Sequence, residues 1–140
     1  MAINTRVYQT LQYEVGAVAN SATTLVPGTA LKISKLPISP VVTYPDNFYN
    51  VAAATAGEQV HGVVALSGNI TDSTNGRMVM LNAAFFPALL GENMVKGDKI
   101  KPGANGKWFK AGMGDKAYGE LMEAGSTDDK VWVRSNEVVV

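Results

Sequence analysis

The chain has 140 residues, enough for one domain that buries a core of its own without staples. Its 12 basic and 12 acidic side chains leave no formal net charge. That argues against a nucleic-acid binder, which needs a surplus of Lys and Arg to displace phosphate counterions. No cysteine occurs, which excludes disulfides, thiolate metal sites and thiol nucleophiles.

The first residues, Met1 to Arg6, lack the basic stretch and apolar core of a secretory signal. No apolar run approaches the ~20 residues of a membrane helix. A soluble protein made in a reducing cytoplasm is expected, with no membrane partner. The opening stretch has two readings. Val7, Leu11, Val15 and Val18 fit a helical stripe, whereas Val7, Leu11, Tyr13 and Val15 fit one face of a strand. Between Gly16 and Thr24 the chain is small and polar, Asn20 to Thr24 above all, and reads as a linker. Residues 1–24 are therefore expected to form an arm that lies on a neighbour, because alone it cannot offset its conformational entropy. Val7, Tyr8, Leu11, Tyr13 and Val15 are its apolar anchors.

Residues 25–140 are expected to form a single all-β domain, a small β-sandwich, jelly roll or β-barrel with little helix. Frequent Gly and Pro divide this part into short apolar runs. Thr29 to Ser34 alternates, with Leu31 and Ile33 inward and Lys32 and Ser34 outward. Val60 to Leu66 and Arg77 to Leu81 are apolar on both faces, as buried strands are. Ala52 to Ala54 and Ala88 to Leu90 suggest single helical turns that Gly57 and Gly91 cut short. Asn105-Gly106 tolerates positive φ at both residues and predicts a type I′ turn returning Lys99 to Lys101 onto Lys107 to Phe109. Ala117 to Met122 and Lys130 to Arg134 are the last strands. In the latter Val131 and Val133 share one face and Trp132 takes the other. An echo is present: His61-Gly62 precedes Ser67-Gly68, and Tyr118-Gly119 precedes Ala124-Gly125, at the same glycine spacing. In a chain with 14 glycines coincidence explains this readily; a real echo would mean two similar β-hairpin units.

No catalytic template fits. His61 is the only histidine and sits in an apolar strand, as a satisfied imidazole does; with no cysteine, the usual zinc sites cannot form. Ser67, Ser73 and Asp72 lack a nucleophile elbow. Asp46, Asp72, Asp98, Asp115, Asp128 and Asp129 occupy turn positions, where a carboxylate caps backbone amides. Glu120 and Glu123 read as solvated rather than as a glycosidase pair. Gly103 to Lys107 lacks the spacing of a phosphate loop. No cofactor is expected, nor an enzyme. What remains is surface. Trp132 and the Trp108-Phe109 pair are candidate contact anchors, with core packing the alternative and the better reading for Phe109, and Phe85-Phe86-Pro87 with Leu89-Leu90 suits core or interface alike. Val138, Val139 and Val140 need a sheet edge or a partner to cover them.

Several of these segments in order resemble the head decoration, or capsid cement, proteins of tailed bacteriophages. They are Pro27-Gly28-Thr29-Ala30-Leu31, Gly62 to Ala65, Lys96 to Lys101, Asn105 to Lys107, Tyr118 to Ala124 and Val131 to Arg134. A longer N-terminal stretch and the Tyr44 to Tyr49 insertion set the chain apart from the shortest of them. The resemblance implies a β-barrel or jelly-roll-like domain on the outer surface of the virion. There it would bind the major capsid protein and bridge neighbouring capsomers, by multivalency and without chemistry. It would act as a homo-oligomer, a dimer ahead of a trimer. The rival reading is a carbohydrate- or small-ligand-binding β module that stacks its ligand on exposed Trp108 and Trp132.

Overall fold

A computed structural model describes residues 13–36, 48–74 and 76–140. Among them the regular structure is ten strands and a short 3-10 turn over Ala104–Gly106. Strands β1 (Glu14–Ala19), β2 (Ala30–Lys35), β3 (Tyr49–Ala53), β4 (Gly62–Val64) and β5 (Gly76–Met80) close into a barrel in the order β1-β3-β2-β4-β5. Strands β6 (Phe85–Leu89), β7 (Lys99–Pro102), β8 (Trp108–Lys110), β9 (Lys116–Leu121) and β10 (Lys130–Val139) form a second sheet, ordered β6-β10-β9-β7-β8. One parallel bridge, Leu90 to Trp108, brings its two ends together.

The second sheet repeats the first strand for strand. In each, the first strand runs parallel to the third and the remaining pairings are antiparallel. The registers coincide too. Leu31 lies opposite Ala53 and Gly62, and Ile100 opposite Lys110 and Gly119. Val63 faces Val79 as Glu120 faces Arg134. The parallel contact is Ala19 to Val51 in one unit and Leu90 to Trp108 in the other. His61-Gly62 and Tyr118-Gly119 thus hold equivalent places. The glycine echo marks a repeated unit, and that unit is a whole five-stranded sheet rather than a hairpin. The turn before the second strand is repeated as well. Gly28 and Gly97 have φ of 86° and 90°, and the Thr29 and Asp98 N–H groups donate to Val26 and Val95 carbonyls at 3.1 Å each.

Period-two alternation places the core. Leu31, Val51, Val64 and Met78 pack together inside the first barrel. Their neighbours Ala30, Val63 and Val79 face the other way and join a second cluster, which contains Phe86, Leu90, Ile100, Trp108, Leu121 and Val133. The outer wall of one barrel is therefore continuous with the interior of its partner. A closed barrel and a second sheet on the same plan, drawn round into a more open barrel by the single Leu90–Trp108 bridge, organise the described residues.

Several expectations need correcting. The boundary at residue 24 does not exist as an arm's end: Glu14–Ala19 is a barrel strand, and Leu25 bridges Ile70. The small residues that read as a linker permit close packing. Ala17 is fully buried, and a Cβ on Gly16 would stand 2.4 Å from the Phe48 ring. Residues 1–12 and most of the Tyr44 to Tyr49 insertion lie outside the described residues. Ala52-Ala53 and Ala88-Leu89 are strand, not helical turns, because their flanking partners supply ladder hydrogen bonds that an isolated turn lacks. The Asn105-Gly106 turn is as expected. Both residues have positive φ, 59° and 73°, and Lys107 N–H closes the turn on the Ala104 carbonyl at 3.2 Å.

Candidate interaction surface

The two units meet where the second sheet is weakest. In the first barrel the parallel contact spans three residue pairs, Ala17–Tyr49 to Ala19–Val51. The second has the single Leu90–Trp108 bridge. Leu89, the counterpart of Val18, gives its N–H to the Gly28 carbonyl at 3.0 Å instead, and the Trp108 indole N–H reaches the same oxygen at 3.1 Å. The Pro27-Gly28 turn of the first barrel thus occupies the opening between β6 and β8. A Cβ on Gly28 would lie 2.6 Å from the Leu89 nitrogen. Further contacts cross the seam. Ser135 donates to the Leu81 carbonyl at 2.7 Å, and the Tyr118 hydroxyl accepts the Val60 N–H at 3.4 Å.

Beside the seam lie two copies of one charged turn. Thr55-Ala56-Gly57-Glu58 and Gly112-Met113-Gly114-Asp115 each fold back so that the first residue's N–H meets the last carboxylate, at 3.0 and 2.8 Å. Each carboxylate also pairs with a lysine one strand away, Lys32 with Glu58 and Lys101 with Asp115. Lys32, then the Thr55 hydroxyl and amide, hold the Glu58 carboxyl down at about 2 from its ordinary 4.5. Lys101 and the Gly112 amide lower Asp115 for the same reason. Glu137 is lowered by Gln59 and by Lys116, whose ammonium stands 3.2 Å away.

A cleft of about 340 Å³ opens between these turns, lined by Glu58, Gln59, Lys101, Asp115, Lys116 and Tyr118. Its charges are spent on one another. Among the described residues, no group of three His, Cys, Asp or Glu is placed to hold a metal. His61 Nδ1 accepts the Ile33 N–H at 3.1 Å, so that nitrogen is committed to the backbone.

The expected contact residues separate. Val7, Tyr8 and Leu11 lie outside the described residues. Tyr13 is 57% exposed, whereas Val15 packs onto the first barrel's interior. Trp132 is not a surface anchor. It is only 1% exposed and Trp108 fully buried, because β10 is covered on both faces and Trp108 fills the second core. Neither ring can serve as a platform for a sugar. Val138 and Val139 pair with Ala117 and Lys116, so they lie on a sheet edge as expected, yet Val139 remains 73% exposed. Met113, at 97% exposure the most open apolar side chain described, escaped the sequence reading. Its signal was there: an apolar residue between two turn glycines has no core within reach.

No protein-family model matches the sequence, and no curated protein does. Among solved structures, the N base of head fiber gp8.5 in bacteriophage phi29 matches 89% of this chain and 94% of that chain. The TM-score is 0.66 and the identity 15%. The two proteins share a fold. The resemblance to phage head proteins read from the turn and strand motifs thus has a structural counterpart that spans both barrels, at an identity too low for the motifs alone to carry it.

Proposed function

We propose that this chain is a non-enzymatic structural protein of a tailed-phage head. It binds the outside of the assembled shell and bridges neighbouring copies of the major capsid protein. The observation that carries this reading is the shared fold with a phage head-fiber base over nearly the whole of both chains. The surface fits the role, since Glu58 and Asp115 in the cleft beside the seam are each paired with a lysine and the exposed apolar groups of the described residues sit at strand ends and turns. Many weak copies on a repeating lattice reinforce a shell by multivalency, without chemistry. The sugar-binding alternative has lost its stacking residues to the core.

Val7, Tyr8 and Leu11 are proposed as attachment residues, with Tyr13 at the point where the barrel begins. Quantitative mass spectrometry of purified virions should find the chain in constant ratio to the major capsid protein, and brief surface proteolysis of intact particles should release it. A chain lost on purification, or recovered only with the tail, would end this reading. Deleting residues 1–12 should leave both barrels folded and remove attachment. Attachment undiminished by that deletion would take those residues out of it.

A further inference from the structure

Among the described residues only Asn105 and Asp128 hold positive φ without being glycine. Asn105 stands at φ 59° and ψ 23°, is exposed, and is followed by Gly106. An asparagine amide can be lost to attack by the next backbone nitrogen, and a glycine, having no Cβ, leaves that nitrogen unshielded. The reaction needs only water besides. The Gly106 nitrogen gives up its proton and attacks Asn105 Cγ. As the N–Cγ bond forms, the Cγ–Nδ2 bond breaks and Nδ2 leaves as ammonia, carrying the proton. Water then opens the cyclic imide. Addition at Cγ leaves aspartate. Addition at the Asn105 backbone carbonyl leaves isoaspartate, which adds a methylene to the main chain.

The fold holds this step off. Closing the ring needs the Gly106 nitrogen eclipsed with Cβ about the Cα–C bond, and at ψ 23° it is swung well away. The Gly106 N–H also donates to the Gly103 carbonyl at 3.1 Å, and the Lys107 N–H to the Ala104 carbonyl at 3.2 Å. The turn cannot rotate alone, because Gly106 is buried against the first barrel. A Cβ there would stand 2.5 Å from the Thr29 methyl and 3.1 Å from the Ala53 Cβ. Farther along the same hairpin, the Trp108 indole is tied to the Gly28 carbonyl, and Lys107 is paired with Asp128 at 2.7 Å. Freeing ψ of Asn105 therefore means lifting the β7–β8 turn off the first barrel. We infer that Asn105 is a self-modifying site, held unreactive by the docking of the two barrels. It loses its amide when they separate, and the isoaspartate product cannot return, because the added methylene spoils the turn that seats Trp108. This is independent of the capsid reading, because it concerns the purified chain alone.

The full chain is incubated at mildly alkaline pH in native buffer and in urea. Peptide mapping by mass spectrometry follows Asn105 separately from the other Asn-Gly pair, Asn75-Gly76. Reaction through an opened form scales with the population of that form, so Asn105 should react more than about tenfold slower in native buffer. Two variants loosen the seam far from the turn in sequence. Gly28→Ala presses on the Leu89 nitrogen and should speed the native reaction about tenfold. Ser135→Ala removes the bond to the Leu81 carbonyl and should speed it about fivefold; it carries the test if Gly28→Ala fails to fold. Neither should change the rate in urea. After reaction in urea and refolding, the isolated isoaspartate product should lack the native near-ultraviolet circular dichroism. Asn105→Asp should show it, since aspartate tolerates positive φ. Equal rates in native buffer and urea, a native rate that neither seam variant moves, or an isoaspartate chain that regains the native signal would overturn the inference.

Discussion

The two barrels share topology and register yet are built to different degrees of self-sufficiency. The first closes on its own hydrogen bonds, with three residue pairs in its parallel contact. The second closes through one bridge and borrows the Gly28 carbonyl from its neighbour. Equivalent positions have diverged accordingly. Val51 in the first core corresponds to Trp108 in the second, whose ring fills the interior and whose indole N–H ties it to the first barrel. Repetition of a backbone plan does not imply repetition of energetics, because each copy answers to what lies against it.

Trp108→Val, which imports the first barrel's residue, tests that asymmetry with the largest expected effect. It removes most of a buried ring and one donor from Gly28, and should cost about 4 kcal/mol in urea denaturation. Smaller but more diagnostic is the glycine pair. Gly28→Ala meets backbone at 2.6 Å, whereas nothing lies within 4 Å of a Cβ at Gly97, although both have positive φ. Gly28→Ala should lose about 3 kcal/mol, strain plus overpacking, and Gly97→Ala about 1 kcal/mol from φ alone. Equal losses would break the comparison.

Acid titration gives the smallest difference. Both turn carboxylates are depressed in the folded chain, so their contribution to stability is full above the unfolded value and is lost as pH falls through the folded one. For Glu58 that window runs from 4.5 down to about 2. Denaturation midpoints followed over this range should fall for the native chain and fall less steeply for Glu58→Gln. Asp115→Asn should flatten the curve likewise. Both side chains are open to solvent, which keeps the effect modest.

Much of the fold was legible because strands and turns speak locally. The alternation at Leu31 and Ile33 and the paired positive-φ residues Asn105-Gly106 each encode their own geometry. What was hidden depends on distant partners. Gly16, Ala17 and Ala19 read as linker because small residues signal close packing only once Phe48 and β5 are in place. Trp132 looked exposed because its neighbours Lys130 and Arg134 are polar, and nothing local reveals a covered outer face. The repeat surfaced only as a glycine spacing: a Cβ on Gly62 or Gly119 would meet neighbours at 2.6 and 2.5 Å, whereas the side chains around them differ between the units. The candidate surface was half visible: the terminal valines were evident, and Met113, set between two turn glycines, carried a local signal that went unread.

The account rests on attachment to the outside of a phage head, and re-addition tests it most directly. Phage heads assembled without this chain should, when incubated with the purified protein and sedimented, take it up saturably. Cryo-electron microscopy should then show two-barrel density outside the shell, in contact with more than one major capsid subunit. Heads that sediment without the protein, or density confined to the interior or to the tail, would contradict it.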